Sequence, residues 1–302
     1  MTIAERAWNP VCGLGGVDRS GLTVLVPRQL DVPLRRRKPT TWFVDSMADL
    51  FHESLTNEEI AAVFGVMTAC PQHTFQVLTT RAKRMRAWFE WLPSDGLRWT
   101  CMTEAIRQIN PYRPALERRV IDSLDAQVLQ WPLPNVWLGV SCEDQQRADE
   151  RIPLLLDTPA AVRFVSCEPL LGPVDFGRVP LDPSDPSIMR GIFNPLEGGG
   201  TETATPWRIN WVIVGGESGP GARPCDVTWI RSIVRECRES DTPVFVKQLG
   251  SVPIVDLEPT GRIRTVDGRR QAEFTANRLP LRDPKGADPS EWPEDLRVRE
   301  TP

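Results

Sequence analysis

The sequence predicts an α/β fold: a partial or irregular (β/α) barrel with about six parallel strands. Two observations support this prediction. Short apolar runs rich in β-branched and aromatic residues alternate along the chain with helical patterns. Each of these runs also ends in a polar cluster. Alternating strands and helices make parallel strands with right-handed crossovers the expected arrangement, and a doubly wound open sheet is the alternative.

The composition indicates an ordinary globular protein. The chain has 302 residues, of which 40% are hydrophobic and 25% are charged, with a net charge of -4. This charge balance argues against a general nucleic-acid coat, although it is compatible with a local basic patch. Apolar stretches are too short to span a membrane, and the N-terminus lacks the apolar region of a signal peptide. Seven cysteines without a regular framework are typical of reduced thiols, so we expect a cytoplasmic protein without membrane contact.

The first 40 residues contain no long helical pattern. A turn-like element covers residues 8–13, and residues 22–26 predict a short strand. Residues 35–38 are four consecutive cations. Such a run is either a solvated loop or a contact for an anion or a nucleic acid.

After residue 40 the sequence predicts six strands. They cover residues 41–44, 75–79, 135–140, 162–166, 211–214 and 243–246. Thr56 and Glu59 form a capping box that opens a helix to about residue 69. Further helices are predicted over residues 81–92 and 227–240. Another predicted helix follows the third strand and ends near residue 157.

The predicted domain organisation has one barrel and one extension. Residues 1–250 form the barrel domain, and residues 251–302 form a polar C-terminal extension. The barrel contains a helical insertion at about 93–131, which prolines at positions 111 and 114 interrupt. It also contains a long loop at about 172–208 that is rich in Pro, Gly, Asp and Thr. Loops of that length are usually functional or disordered.

Two tripeptides with the same sequence follow the third and fourth strands: Ser141-Cys142-Glu143 and Ser166-Cys167-Glu168. Because side chains alternate along a strand, each serine shares a face with its glutamate. The cysteines then point toward the helices, where we expect them to pack in the core. Two neighbouring carboxylates can share a proton, hold a metal or bind a cationic substrate. Helix capping and pairing with arginine are the alternatives.

Two other groups carry candidate chemistry. Asp45, Asp49 and His52 form either a metal or acid–base cluster or the acidic start of a helix. His73 precedes a strand at its N-terminal end, so we expect a structural role. Lys247 ends a strand, where a lysine binds phosphate or carboxylate or acts as a nucleophile. An ion pair with a strand-end glutamate, at position 217 or 168, is the alternative for this lysine.

These residues define the predicted site, because parallel α/β sheets carry their sites at the C-terminal ends of the strands. The candidate catalytic residues are Asp45, Glu143, Glu168, Glu217 and Lys247. The candidate ligand-binding residues are Ser46, Asp49, His52, Thr79, Arg81, Ser141, Ser166, Gly215, Gly216, Ser218 and Gln248. No metal-binding motif is recognised, and we expect the five candidate catalytic residues to surround one hollow.

Six motifs along the chain carry a family resemblance: Trp8-Asn9-Pro10-Val11, residues 43–52, residues 74–79, residues 135–141, residues 166–172 and residues 214–220. Together they resemble the phage Gp37/Gp68 family, also called DUF5131. The resemblance covers most of residues 8–250 and extends to the tail around residues 292–293. Members of the family usually carry an N-terminal cysteine cluster ending in Cys-x-x-Cys-Tyr. With the partial barrel, that cluster makes the family resemble radical S-adenosylmethionine enzymes, and it implies S-adenosylmethionine and a [4Fe–4S] cluster as cofactors.

This chain departs from the family pattern at its N-terminus. Cys12 lies near the expected place, and the next cysteine is Cys70. Because a [4Fe–4S] cluster needs three or four converging thiolates, we infer that the family's barrel persists here while its cluster site is lost. Cys12 is the only remnant candidate for a metal ligand there. Two hypotheses follow. The chain is either an enzyme or degenerate enzyme for a nucleotide, a nucleic acid or a tRNA-like substrate, or a non-catalytic binding module for a host or phage protein.

Overall fold

A computed structural model of the chain describes residues 15–17, 23–26, 29–44, 48–93, 97–109, 118, 130–180, 194–198, 207–266 and 269–302. The helices within these residues are α1 (Val32–Arg35), α2 (Asn57–Thr68), α3 (Ala82–Trp91), α4 (Leu97–Ile109), α5 (Gln145–Leu156) and α6 (Val227–Glu239). The strands are β1 (Gly15–Val17), β2 (Thr23–Leu25), β3 (Thr41–Val44), β4 (Thr74–Thr79), β5 (Val136–Ser141), β6 (Val162–Cys167), β7 (Trp211–Gly215), β8 (Cys225–Asp226), β9 (Val244–Gln248), β10 (Pro253–Val266) and β11 (Arg269–Arg278).

The central sheet has six parallel strands in the order β3-β4-β5-β6-β7-β9. It curls into a half-barrel, which confirms the predicted partial (β/α) barrel. All six predicted strands are present at the expected positions, because their apolar runs fill a sheet that is buried on both faces. Parallel strands bring their carboxyl ends to one edge of the sheet. We call this edge the carboxyl edge.

The two faces of the half-barrel pack differently. The outer face packs against the helices and forms the main core, which includes Cys142 and Cys167. Both thiols are fully buried, as the sequence analysis expected. The inner face carries a separate aromatic cluster around Trp211, whose ring lies 5.8 Å from that of Phe164 and 6.2 Å from that of Phe245. Burying each large apolar side chain stabilises the fold by about 1.5–3 kcal/mol.

Helix starts follow from local sequence. In α2 the Thr56 side chain accepts a hydrogen bond from Glu59 N while the Glu59 side chain accepts one from Thr56 N, so the predicted capping box is confirmed. In α5 the N-cap is Asp144, whose side chain accepts a hydrogen bond from Arg147 N. Asp226 caps α6 in the same way through Thr228 N. The caps fix where each helix leaves the carboxyl edge.

The C-terminal region folds back on the half-barrel. Strands β10 and β11 form an antiparallel hairpin, and β10 also pairs with β8. This hairpin is not among the elements predicted from the sequence. The last residues then run antiparallel along β9, where Val246 N donates to Val298 O and Glu300 N donates to Val244 O. The tail therefore covers the edge strand on that side of the sheet.

The predicted domain boundaries remain a prediction. Helix α4 lies in the proposed helical insertion, and a 3-10 turn at Phe176–Arg178 lies in the proposed long loop. Among the helices that the structure describes, none combines the length and the apolar character that a membrane span requires.

Candidate ligand site at the carboxyl edge

Three side chains converge at the carboxyl edge beside β7. The Lys247 Nζ donates to Glu168 Oε2 over 2.9 Å, and the Gln248 Nε2 donates to Glu168 Oε1 over 3.1 Å. The Gln248 Nε2 also donates to the Gly216 carbonyl over 2.9 Å. Glu168 is mostly buried, with 14% of its side chain exposed, while 27% of the Lys247 side chain is exposed. This polar cluster is therefore sheltered but reachable from solvent.

Glycines in the intervening strand make the convergence possible. Glu168 follows β6 and Lys247 lies in β9, and the two strands are separated by β7. At this level β7 contributes Gly215, which is paired with Gln248. A Cβ on Gly215 would lie 3.0 Å from the Gln248 carbonyl oxygen and 3.4 Å from its Cγ, so a side chain there would press on the glutamine that bonds Glu168. A Cβ on Gly216 would lie 2.3 Å from the Leu249 carbonyl oxygen, so the backbone just after β9 approaches too closely for any other residue there.

Two opposing effects act on the pKa of Glu168. Burial raises the pKa of this carboxyl above its usual range, and the ammonium group of Lys247 opposes that rise. A carboxyl with a raised pKa and an adjacent ammonium group can exchange a proton with a ligand or accept its N–H and O–H groups. The pair can also bind a ligand through opposite charges on neighbouring atoms.

Glu143 lies next to this cluster in an ion pair of its own. The Arg151 Nη1 on α5 lies 3.1 Å from Glu143 Oε2 and donates to the Ser141 carbonyl over 2.7 Å. The backbone of Glu143 accepts a hydrogen bond from Leu171 N over 2.7 Å. Arginine pairing, the alternative considered for this glutamate, is the arrangement observed.

Glu217 pairs with Arg223 in the exposed loop after β7. The guanidinium donates to both carboxylate oxygens, over 2.8 and 2.9 Å, and Arg223 N donates over 2.8 Å. These bonds lower the pKa of Glu217 to about 2, so the group is a permanent anion at neutral pH. Glu143 also contributes to the raised pKa of Arg223, after the larger effect of Glu217. The two ion pairs are therefore neighbours on the carboxyl edge.

Asp49 organises the loops after β3 and β4. Its buried carboxylate accepts hydrogen bonds from the hydroxyl groups of Thr79 and Thr80, over 2.7 and 3.2 Å, and from Phe51 N over 3.0 Å. The Arg81 Nη1 lies 3.0 Å from the same carboxylate. A carboxylate with this many donors is a structural hub that joins the two loops.

His52 lies beside that hub but has different partners. Its Nδ1 contacts Ser54 Oγ over 2.9 Å, and Ser54 Oγ donates to the Thr23 carbonyl over 2.6 Å. Among the described residues, no group of three or more His, Cys, Asp or Glu side chains is placed to hold a metal ion. The expected structural role of His73 fits its position, since it is buried with its Nε2 3.0 Å from the Pro33 carbonyl oxygen.

The structure brings many of the predicted site residues together in pairs and small clusters. Glu168 meets Lys247 and Gln248, and Asp49 meets Thr79 and Arg81. Ser141 and Ser166 are neighbours in the β5–β6 register, Ser218 is exposed in the β7 loop, and Asp45, Ser46 and Cys12 lie outside the described residues. Whether all these groups line one hollow remains a prediction.

Sequence reasoning missed the arginines that neutralise the edge. Arg151 lies eight residues after Glu143, and Arg223 lies six residues after Glu217. For Arg151 a signal was available, since a residue two turns into the following helix faces back toward the strand end. For Arg223 no such sequence signal was available, because the position of this residue depends on the conformation of an irregular loop.

Among the described residues no three cysteines are grouped to hold a metal ion, so they do not fit a [4Fe–4S] cluster. Burial raises the pKa of the thiols of Cys142, Cys167 and Cys237, and it raises that of Cys225 to about 12. Iron in such clusters is bound by thiolates, which these apolar surroundings disfavour. No chemical step through a cluster is therefore derived from these residues.

Fold and site together define a half-barrel α/β protein with a sheltered Glu–Lys–Gln cluster and arginine-paired glutamates at its carboxyl edge. A family model described as "Protein of unknown function (DUF5131)" matches residues 2–275, so the chain belongs to the DUF5131 family. No curated protein and no solved structure matches the chain.

Proposed function

We propose that this chain binds a nucleotide or a nucleic-acid-related ligand at the carboxyl edge, with Glu168, Lys247 and Gln248 as the binding centre. We further propose that the chain is a Gp37/Gp68-type phage or prophage protein and that its half-barrel is related to those of radical S-adenosylmethionine enzymes. It assigns no iron–sulfur chemistry to the described residues.

The observation that carries the proposal is the meeting of Glu168 and Lys247 across β7. The pairing of β6, β7 and β9 does not itself require a charged pair there, and desolvating two charges costs several kcal/mol before their attraction offsets it. Keeping such a pair at the carboxyl edge of a half-barrel is typical of a binding site in this class of fold.

The chemistry of the cluster favours a ligand with both an anionic group and polar N–H groups. An ammonium group binds phosphate or carboxylate oxygens, whereas a carboxylate and a side-chain amide bind amino and hydroxyl groups. The backbone glycines at the end of β7 allow a ligand to approach the main chain closely. Nucleotides and S-adenosylmethionine both combine these features.

A thermal-shift titration of the full chain tests the proposal. ATP, GTP, S-adenosylmethionine and a short single-stranded oligonucleotide are the probes. At a concentration about 100-fold above Kd, a bound ligand stabilises the folded state by about 2.7 kcal/mol and raises the Tm by several degrees. We expect such a rise for at least one probe, and we expect Lys247→Met to lose it.

Lys83→Met is the matched control, because Lys83 is an exposed lysine on α3. The control should keep the full Tm rise. If no probe shifts the Tm of the wild-type chain, or if both lysine variants respond like the wild type, the proposed site is wrong. The alternative function, a non-catalytic module for a host or phage protein, would then be the one to pursue.

A further inference from the structure

A second charged surface lies at the other end of the sheet. Residues 35–38, which we call the basic run, connect α1 to the start of β3. They therefore lie at the amino ends of the strands, whereas Glu168 and Lys247 lie at the carboxyl ends. All four side chains of the basic run are exposed. The proposed ligand site does not use this surface.

The backbone of the basic run is held in place. Arg36 N donates to the Pro33 carbonyl over 3.1 Å, and the Arg36 Nε donates to Thr40 Oγ1 over 2.7 Å. Thr40 is in turn fixed to the sheet, since Thr74 N donates to its carbonyl over 3.1 Å. The charges therefore lie on an ordered segment, so the chain loses less conformational entropy when a partner binds.

Only part of this charge is neutralised within the described chain. The Arg35 guanidinium is paired with the carboxylate of Asp31. The side chains of Arg37 and Lys38 make no hydrogen bond or ion pair with any part of the chain that the structure describes. A local excess of positive charge therefore stands out on a chain whose net charge is -4.

We propose that the basic run docks the phosphate backbone of a nucleic acid. A linear series of like charges matches a duplex, which carries one negative charge per about 1.7 Å of its axis. Three of the four cations are arginines, whose guanidinium groups bind phosphate oxygens in a bidentate manner. A membrane surface fits less well, because α1 has four residues and its apolar side chains are buried or half-buried, which leaves no apolar face to insert.

Fluorescence anisotropy with a labelled random-sequence DNA duplex tests this inference on the full chain. The variant Arg37→Glu/Lys38→Glu reverses the two unpaired charges without removing a bond of the fold. The control Lys83→Glu/Lys285→Glu makes the same charge change at two other exposed lysines. We expect the first variant to bind at least about tenfold more weakly at low salt.

The salt dependence adds an independent readout. Losing two phosphate contacts should reduce the slope of log K against log salt by about 2, measured between about 50 and about 200 mM salt. The control should keep the wild-type slope. The inference is overturned if the wild-type chain does not bind the duplex, if both variants lose affinity equally, or if the wild-type chain binds anionic lipid vesicles more tightly than DNA. Both variants keep Lys247, so the difference between them reports on the basic run and not on the ligand site.

Discussion

Glu168 and Lys247 lie 79 positions apart in the chain, yet the Lys247 Nζ is 2.9 Å from Glu168 Oε2 across a strand that ends in glycine. This contact connects the fold to its proposed function. It needs the strand order β6-β7-β9, the absence of a side chain at Gly215 and the sheltered position of the carboxylate.

Removing the lysine should destabilise the fold in a pH-dependent way. Lys247→Met leaves Glu168 without its counter-ion, and breaking a partly exposed pair of this kind costs about 1–3 kcal/mol. Burial already raises the pKa of Glu168, and losing the ammonium group raises it further. A carboxyl with a raised folded-state pKa stabilises the protein at low pH and loses that contribution as pH rises. Urea denaturation should therefore show a larger loss at pH 8 than at pH 5.

The double variant Glu168→Gln/Lys247→Met is the control for that prediction. It removes both charges, so it should recover most of the stability lost at pH 8 by the single variant. An equal loss at both pH values, or no recovery in the double variant, would show that the pair does not act as described.

A methyl group on Gly216 should disrupt the carboxyl edge. Its Cβ would lie 2.3 Å from the Leu249 carbonyl oxygen, a backbone atom that cannot move without shifting β9. We expect Gly216→Ala to lower the free energy of unfolding by about 3 kcal/mol. Gly172→Ala is the control, because its Cβ would lie 3.5 Å from Asp144 Cβ, an ordinary contact. Similar unfolding midpoints for the two variants would contradict the close approach of β9.

The central sheet could be predicted from sequence because its strands are continuous apolar runs between helical patterns. The β10–β11 hairpin was missed, because charges, Pro259 and Gly261 interrupt its apolar residues and leave the Asp267-Gly268 pair as the local turn signal. The packing of the tail depends on isolated residues such as Trp292, which is buried with its Nε1 3.0 Å from the Gly286 carbonyl. A single aromatic residue in a polar segment gives no periodic signal.

The candidate site could be predicted in its location but not in its pairings. Strand ends are visible in the sequence, so Glu143, Glu168 and Glu217 were all expected at the carboxyl edge. Which glutamate Lys247 would meet depended on strand order and on the loop after β7. Arg223 pairs with Glu217 within that loop, and Lys247 lies 2.9 Å from Glu168 because β7 separates β6 from β9 in the sheet.

Arg299 should stabilise the tail against β9 and the backbone of Lys247. Its guanidinium carbon lies 5.3 Å from the ring centroids of both Phe245 and Trp292, and its Nη2 donates to the Lys247 carbonyl over 3.3 Å. We expect Arg299→Ala to cost about 1–3 kcal/mol in urea denaturation, and Arg299→Lys to recover part of it. Arg282→Ala is the control: 94% of that side chain is exposed, so its loss should change stability by less than about 0.5 kcal/mol. Equal effects at the two arginines would rule out the stacked arrangement.

Glu236 should make the packing of α6 sensitive to pH. Its carboxylate accepts a hydrogen bond from Phe176 N over 2.8 Å, and burial, with a smaller effect from Asp175, raises its pKa to about 6. Because the folded-state pKa is raised, this group's contribution to stability falls as pH rises from about 4.5 through about 6. Glu236→Gln keeps the acceptor and should be more stable than the wild type at pH 8 by on the order of 1 kcal/mol after solvent screening, but not at pH 5.

The control for Glu236 is Glu239→Gln on the same helix, where 69% of the side chain is exposed. This variant should show no comparable gain at pH 8. A Glu236→Gln protein that is less stable than the wild type at pH 8, or equally stabilised at pH 5 and pH 8, would contradict the assignment.

Anaerobic reconstitution with iron and sulfide should yield no stoichiometric [4Fe–4S] cluster on this chain. The described thiols of Cys142, Cys167 and Cys237 lie in the core, where burial raises their pKa values and disfavours the thiolates that bind iron. Visible absorbance and bound iron after desalting are the measurements, and we expect well under one cluster per chain. A stable chromophore that Cys12→Ala abolishes would show that the N-terminal site is complete in a way the sequence does not indicate. That result would support the hypothesis that the half-barrel carries out radical S-adenosylmethionine chemistry.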